Sequence, residues 1–147
     1  MSERLFDITG VKTPTRRMVL AENVHAGFPS PAADYTERID ITDEIIRHPE
    51  TTFYARIDGD SMQDAGIRSG DLVVIDRSLQ AADGDFVAAY IDGEFTIKEY
   101  RFDRKENCAW LIPHNSQFSP IRVSEENAFM ICGVITYTIH RVSGLAG

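Results

Sequence analysis

A chain of 147 residues is the size of one domain, which usually takes about 100–200 residues. Its apolar share of 43%, with 10% aromatic, is enough to close a core and excludes a disordered chain. Fifteen basic against 23 acidic side chains leave a formal charge of −8, a surface that nucleic-acid phosphates repel, so strong direct DNA binding is not expected.

The N-terminus carries Glu3, Arg4 and Asp7 where a secretory signal would need an apolar run. The longest apolar stretch, 129–135, falls far short of the ~20 residues of a membrane span, so neither secretion nor membrane attachment is expected. Residues 1–40 are interrupted by Pro14, Pro29 and Pro31 and show no sustained periodicity, which reads as an extended N-terminal arm. A short helix is predicted over 43–48, with Thr42 as its cap, Asp43 and Glu44 at its positive end, and Pro49 as its stop. Beyond it, the segments 52–58, 71–76, 85–91, 94–102 and 129–141 are rich in Val, Ile, Phe, Tyr and Thr, with glycine-containing turns between them. Asp92-Gly93 is a two-residue hairpin signal, because both turn positions need positive φ, so 85–91 and 94–102 should pair. The predicted fold is mainly β, a single domain with an extended arm and one short helix.

Ser61 lies in Gly59-Asp60-Ser61-Met62, directly after a predicted strand, where the chain can turn and present a hydroxyl. A serine beside glycine usually only makes a turn. The α/β-hydrolase elbow needs glycine two residues after its serine and Gln63 stands there, so a nucleophilic Ser61 needs another base. Lys98 is a candidate. Strand alternation puts it on the face opposite Phe95 and Ile97, where the commoner role is a solvated edge lysine. To act as a general base near pH 7 a lysine must be neutral, which from a free pKa near ~10.4 takes roughly 4–5 kcal/mol of help from burial. His25, His48, His114 and His140 show no metal-binding spacing and default to surface or packing roles. Cys108 and Cys132 form no Cys-x-x-Cys pair, which argues against structural zinc and fits a reducing cytoplasm; their apolar surroundings favour buried, inert thiols. In Val24-His25-Ala26-Gly27-Phe28-Pro29-Ser30-Pro31, Ala26 and Gly27 are small enough for a catalytic group to approach the bond between them. The prolines keep the chain beyond that bond extended, as protease clefts require, although a Pro-rich linker would look alike.

Three of these features coincide: Ala26-Gly27-Phe28-Pro29-Ser30-Pro31-Ala32-Ala33-Asp34-Tyr35, Gly59-Asp60-Ser61-Met62 and Gly93-Glu94-Phe95-Thr96-Ile97-Lys98. Together they closely resemble the UmuD-type accessory subunits of SOS translesion polymerases, within the LexA-type self-cleaving serine peptidases. The likeness extends to Arg38-Ile39-Asp40, His48-Pro49, Ser69-Gly70-Asp71-Leu72, Ile112-Pro113 and Asn115-Ser116, and so covers roughly residues 26–140. It is specific because the upstream motif and the spacing of 37 residues between Ser61 and Lys98 are required together.

The resemblance implies that Ser61 is the nucleophile, Lys98 its general base and Ala26-Gly27 the bond that is cut, with backbone N–H groups near Ser61 and Met62 as oxyanion donors. Residues 1–26 would be an arm released by self-cleavage, and 27–147 a LexA-type β-rich peptidase domain. It further implies autocatalysis stimulated by a RecA filament on single-stranded DNA, and a homodimer whose cleaved form joins a UmuC-type Y-family polymerase. No cofactor or metal is implied, and the setting is cytoplasmic. One departure is that many UmuD proteins have cysteine before the scissile glycine, whereas Ala26 matches the LexA repressors. Two alternatives stand beside this reading. A LexA-like transcriptional regulator would need a basic helical reading head, for which residues 1–25 are too few; a non-cleaving polymerase-binding module would carry the same dyad as a vestige.

Overall fold

The computed structural model describes residues 4–6, 18–21 and 35–144. In chain order these form β1 (Arg4–Phe6), β2 (Met18–Ala21), β3 (Tyr35–Ile39), helix α1 (Ile41–Ile45), β4 (Thr52–Arg56), a helical turn at Gln63–Ala65, β5 (Leu72–Asp76), β6 (Phe86–Ile91), β7 (Glu94–Asp103), β8 (Cys108–Ile112), β9 (Ile121–Val123) and β10 (Phe129–Ile139). One sheet of eight strands runs β1-β4-β5-β10-β6-β7-β8-β9, and β2 pairs with β3 in a second sheet. Every pairing among the described residues is antiparallel. The fold is mainly β with one short helix, as the strand-rich sequence predicts. No helix among the described residues is long and apolar enough to cross a membrane.

Hairpin β6–β7 forms as its turn dipeptide requires. Ile91 pairs with Glu94, and Asp92 and Gly93 both take positive φ, 49° and 84°, the geometry that matches a two-residue turn to the strand twist. The helix differs from expectation by two to three residues. It starts at Ile41 because the Asp40 carboxylate, and not Thr42, accepts the free first-turn amides, from Thr42 at 2.8 Å and Asp43 at 3.2 Å. It ends at Ile45, since Ile46 is already extended, three residues before Pro49. The N-terminal region, read as an arm without regular structure, contains β1, β2 and β3. Each is three to five residues long, too short for alternation to register, and β1 is defined by pairing with the distant β4, Arg4 opposite Arg56. The Ala26–Gly27 bond lies outside the described residues.

Strand β10 organises the core. Its first half pairs with β6, its second half with β5, and Val134 faces Val87 on one side and Asp76 on the other. The register slips at Cys132 against β6 and at Thr136 against β5; such bulges bend a strand and increase its twist. The sheet therefore folds over, and β4 and β5 share one core with β6 and β7, built from Phe53, Ala55, Val73, Ile75, Ala88 and Ile97. A second cluster joins Val87, Ala89, Leu111, Val123 and Val134. At the crossover only glycine fits. A Cβ on Gly133 would lie 2.7 Å from Ile75 Cγ2 and 2.9 Å from the Asp76 carbonyl oxygen.

Candidate active site

Ser61 sits in the connection between β4 and β5, whose base is closed by two backbone bonds: the Ile57 amide to the Asp71 carbonyl and the Gly70 amide to the Ile57 carbonyl, both 2.8 Å. Within it the Gln63 amide donates to the Asp60 carbonyl at 3.1 Å, and the Ala65 and Ile67 amides to that of Met62 at 3.1 and 3.3 Å. Among the described residues, the amides of Ser61 and Met62 have no backbone acceptor. The Met62 and Ile67 side chains are buried in the first core cluster, which holds the turn down on the sheet. Ser61 itself is 3% exposed.

Lys98 lies on β7, an interior strand between β6 and β8. The solvated edge position, which strand chemistry makes the commoner fate of a lysine, does not apply: Lys98 is 6% exposed. Alternation holds otherwise. Phe95 and Ile97 enter the first core, and Thr96 and Lys98 share the opposite face. The Lys98 ammonium donates to Ser61 Oγ at 2.9 Å, Thr96 Oγ1 at 2.6 Å and the Ile97 carbonyl oxygen at 3.0 Å. An ammonium has three donors and a neutral amine two donors and one lone pair. The Ile97 carbonyl can only accept, but either hydroxyl can turn its hydrogen toward Nζ. These contacts therefore serve both protonation states, and a proton can pass between Ser61 Oγ and Nζ without either side chain moving.

The rim of the pair is made by the segment after β8. The His114 amide donates to the Ser61 carbonyl at 2.8 Å, and its carbonyl accepts from the Asp64 amide at 2.7 Å. Asn115 Nδ2 donates to the Asp60 carbonyl at 2.9 Å. His114 Nε2 donates to Glu99 Oε1 at 2.8 Å and Arg101 Nε to Glu99 Oε2 at 2.5 Å. Burial of Glu99 raises its pKa, but the hydrogen bonds and positive charges of Arg101 and His114 outweigh burial and hold it below the ordinary value.

Ser61 and Lys98, 37 residues apart, are thus brought together, while Ala26 and Gly27 lie outside the described residues. His114 and Glu99 are not signalled by the sequence, where a histidine without metal-ligand spacing stands out in no way. Pro113, closing β8 one residue beyond the position opposite Glu99, is the nearest thing to a marker. His48 and His140 each bond a buried aspartate, Asp76 and Asp71. Cys108 is buried as its apolar run predicts; Cys132 is only partly so, and that burial pushes its thiol pKa up.

Residues 18–136 match a family described as Peptidase S24-like. The chain is 44% identical over 124 residues to Protein SamA of Salmonella typhimurium (strain LT2), covering 84% of each chain. It is 38% identical over 136 residues to Protein ImpA of Escherichia coli, covering 88% of this chain and 87% of the relative. With the LexA repressor of Shewanella sp. (strain W3-18-1) it shares 35% over 121 residues, 78% of this chain and 58% of the repressor. A match over most of the chain, with relatives this similar along most of their length, establishes what the motifs around Ser61 and Lys98 implied: the chain belongs to the Peptidase S24-like family.

Proposed function

We propose that this protein is a self-cleaving serine peptidase and the regulatory subunit of an error-prone translesion DNA polymerase in SOS mutagenesis. The observation that carries the chemistry is the buried contact of 2.9 Å between Lys98 Nζ and Ser61 Oγ. Neutral Lys98 takes the Ser61 proton as Oγ bonds to the Ala26 carbonyl carbon, and the Ser61 and Met62 amides face the oxyanion. Collapse breaks the bond to Gly27, whose leaving amine takes the proton back from Lys98. Water, deprotonated by Lys98, then attacks the ester on Ser61, Lys98 returns that proton to Oγ as the ester bond breaks, and residues 1–26 are freed from 27–147.

Self-cleavage is favoured over general proteolysis because Ser61 and Lys98 are 3% and 6% exposed. A segment tethered to the same protein stays at high local concentration beside such a pair, which a passing peptide does not. In the full role, a RecA filament on single-stranded DNA stimulates the cut, and residues 27–147, as a homodimer, join a UmuC-type Y-family polymerase. The formal charge of −8 suits action through protein partners in the cytoplasm.

Intact mass after incubation with RecA, ATP and single-stranded DNA tests the reading. The parent should yield the fragment 27–147, and Ser61→Ala should remain whole while staying folded. Cutting of Ser61→Ala at the parental rate, or a fragment beginning elsewhere, would overturn it.

A further inference from the structure

We propose that His114 is a positioning residue for Ser61, its backbone bracketing the serine turn and its ring mooring that bracket to Glu99. The inference rests on the Ser61–Lys98 reading above and adds a residue outside the pair.

The bracket consists of two peptide hydrogen bonds. One runs from the His114 amide to the carbonyl of Ser61 itself at 2.8 Å, and the other from the Asp64 amide to the His114 carbonyl at 2.7 Å. They grip the turn at the serine and again three residues on. Residues 113–115 belong to no strand, so beyond the bracket itself they are held by side chains. Asn115 Nδ2 ties to the Asp60 carbonyl at 2.9 Å, and the His114 ring moors the segment to the sheet through its bond to Glu99 Oε1 at 2.8 Å and an edge contact with the Phe86 ring, centroids 5.3 Å apart.

Glu99 is a firm mooring. It pairs with Phe86 on β6 and with Ile112 on β8, and its second oxygen is held by Arg101, whose guanidinium also faces Asp83 at 3.8 Å. It also follows Lys98 directly in β7. Both halves of the reactive pair are therefore referenced to neighbouring residues of one interior strand, Lys98 by its backbone and Ser61 through His114 and Glu99. Nucleophilic attack is sensitive to this, because a misplacement of about 1 Å can cost ~100-fold in rate.

The test follows self-cleavage of the full chain by intact mass, in alkaline buffer and with RecA filaments. His114→Ala should slow cleavage about tenfold or more, and His114→Gln, whose amide N–H can still reach Glu99, should recover most of the loss. Glu99→Ala should slow cleavage alike, with the double variant His114→Ala/Glu99→Ala no slower than the slower single one, since both break one connection. Hydrogen exchange supplies a readout that general destabilisation would not move selectively: in His114→Ala the amides of residue 64 and residue 114 should exchange faster, those of residues 73–75 unchanged. The proposal is overturned if His114→Ala cuts at the parental rate, if His114→Gln is no faster than His114→Ala, or if exchange rises equally in β5. Ser61→Ala, run alongside, separates the two readings. Persistent cutting there sinks the nucleophile assignment, whereas a silent Ser61→Ala beside a fully active His114→Ala sinks only the positioning role.

Discussion

Replacing Asp76 with asparagine removes a carboxylate on which four hydrogen bonds converge, at the end of β5. His48 Nδ1 donates to it at 2.5 Å, Thr51 Oγ1 at 2.8 Å, and Ser78 through Oγ at 2.7 Å and its amide at 2.9 Å. Burial of this side chain, 4% exposed as a residue, would raise its pKa. The bonds from His48, Ser78 and Thr51 outweigh that and lower it from 3.8 to about 2. A carboxyl held lower in the folded than in the unfolded state stabilises the fold above its unfolded pKa, and that stabilisation fades as pH falls through the folded value. The shift corresponds to about 2 kcal/mol at neutral pH, of which roughly half should be gone by about pH 3. Urea unfolding followed by the fluorescence of Trp110, the one tryptophan, measures it; a Ser61→Ala background guards against the proposed self-cleavage. Asp76→Asn should be less stable than its parent by about 2 kcal/mol near pH 7, with the gap closing toward pH 2 as the other carboxylates cancel in the comparison. A gap of constant size from pH 7 to pH 3, or none at pH 7, would refute this account of the knot.

Three further outcomes are expected. If a proton must leave Lys98, self-cleavage without RecA should quicken as pH rises, and folded Lys98→Arg should lose that rise because guanidinium stays charged; intact mass at a series of pH values reads both. Gly27→Val should block cleavage with the dyad intact, since the added bulk keeps the carbonyl from Ser61, and processing at the parental rate would move the cut site elsewhere. Gly133→Ala should destabilise the fold by about 1–3 kcal/mol, because its Cβ would meet the Asp76 carbonyl oxygen at 2.9 Å, a backbone atom that cannot swing away; an unchanged urea midpoint would count against the crossover as described.

What the sequence disclosed tracks the range of the physics involved. The β6–β7 hairpin was legible because two residues, Asp92 and Gly93, specify their own turn. Helix α1 was legible only approximately, since Asp40 and Thr42 are both good caps, and only tertiary burial of Asp40, 7% exposed, decides between them. Strand β9, three residues long, has no period to detect and exists because β8 offers it a partner. Lys98 divides along the same line. Its face followed from alternation, but its burial depends on β7 lying inside the sheet and on the serine turn folding against it, neither of which is local. His114 acts through its peptide group, which every residue type carries, so its identity reveals only the ring's bond to Glu99.

The same geometry bears on where control of the proposed cleavage must lie. Nζ and Oγ already stand 2.9 Å apart, held by β7 on one side and by the bracketed turn on the other, so assembling the pair is no step left for an activator. What is left to change is the delivery of the Ala26–Gly27 bond to Ser61 and the fraction of Lys98 that is neutral. Alkali acts on the second alone. A filament that seats the segment would act on the first. Gly27→Val and Lys98→Arg should each stop cleavage by both routes, for different reasons. The first blocks attack however the lysine is charged, whereas the second leaves the segment free to seat against a turn that has lost its base.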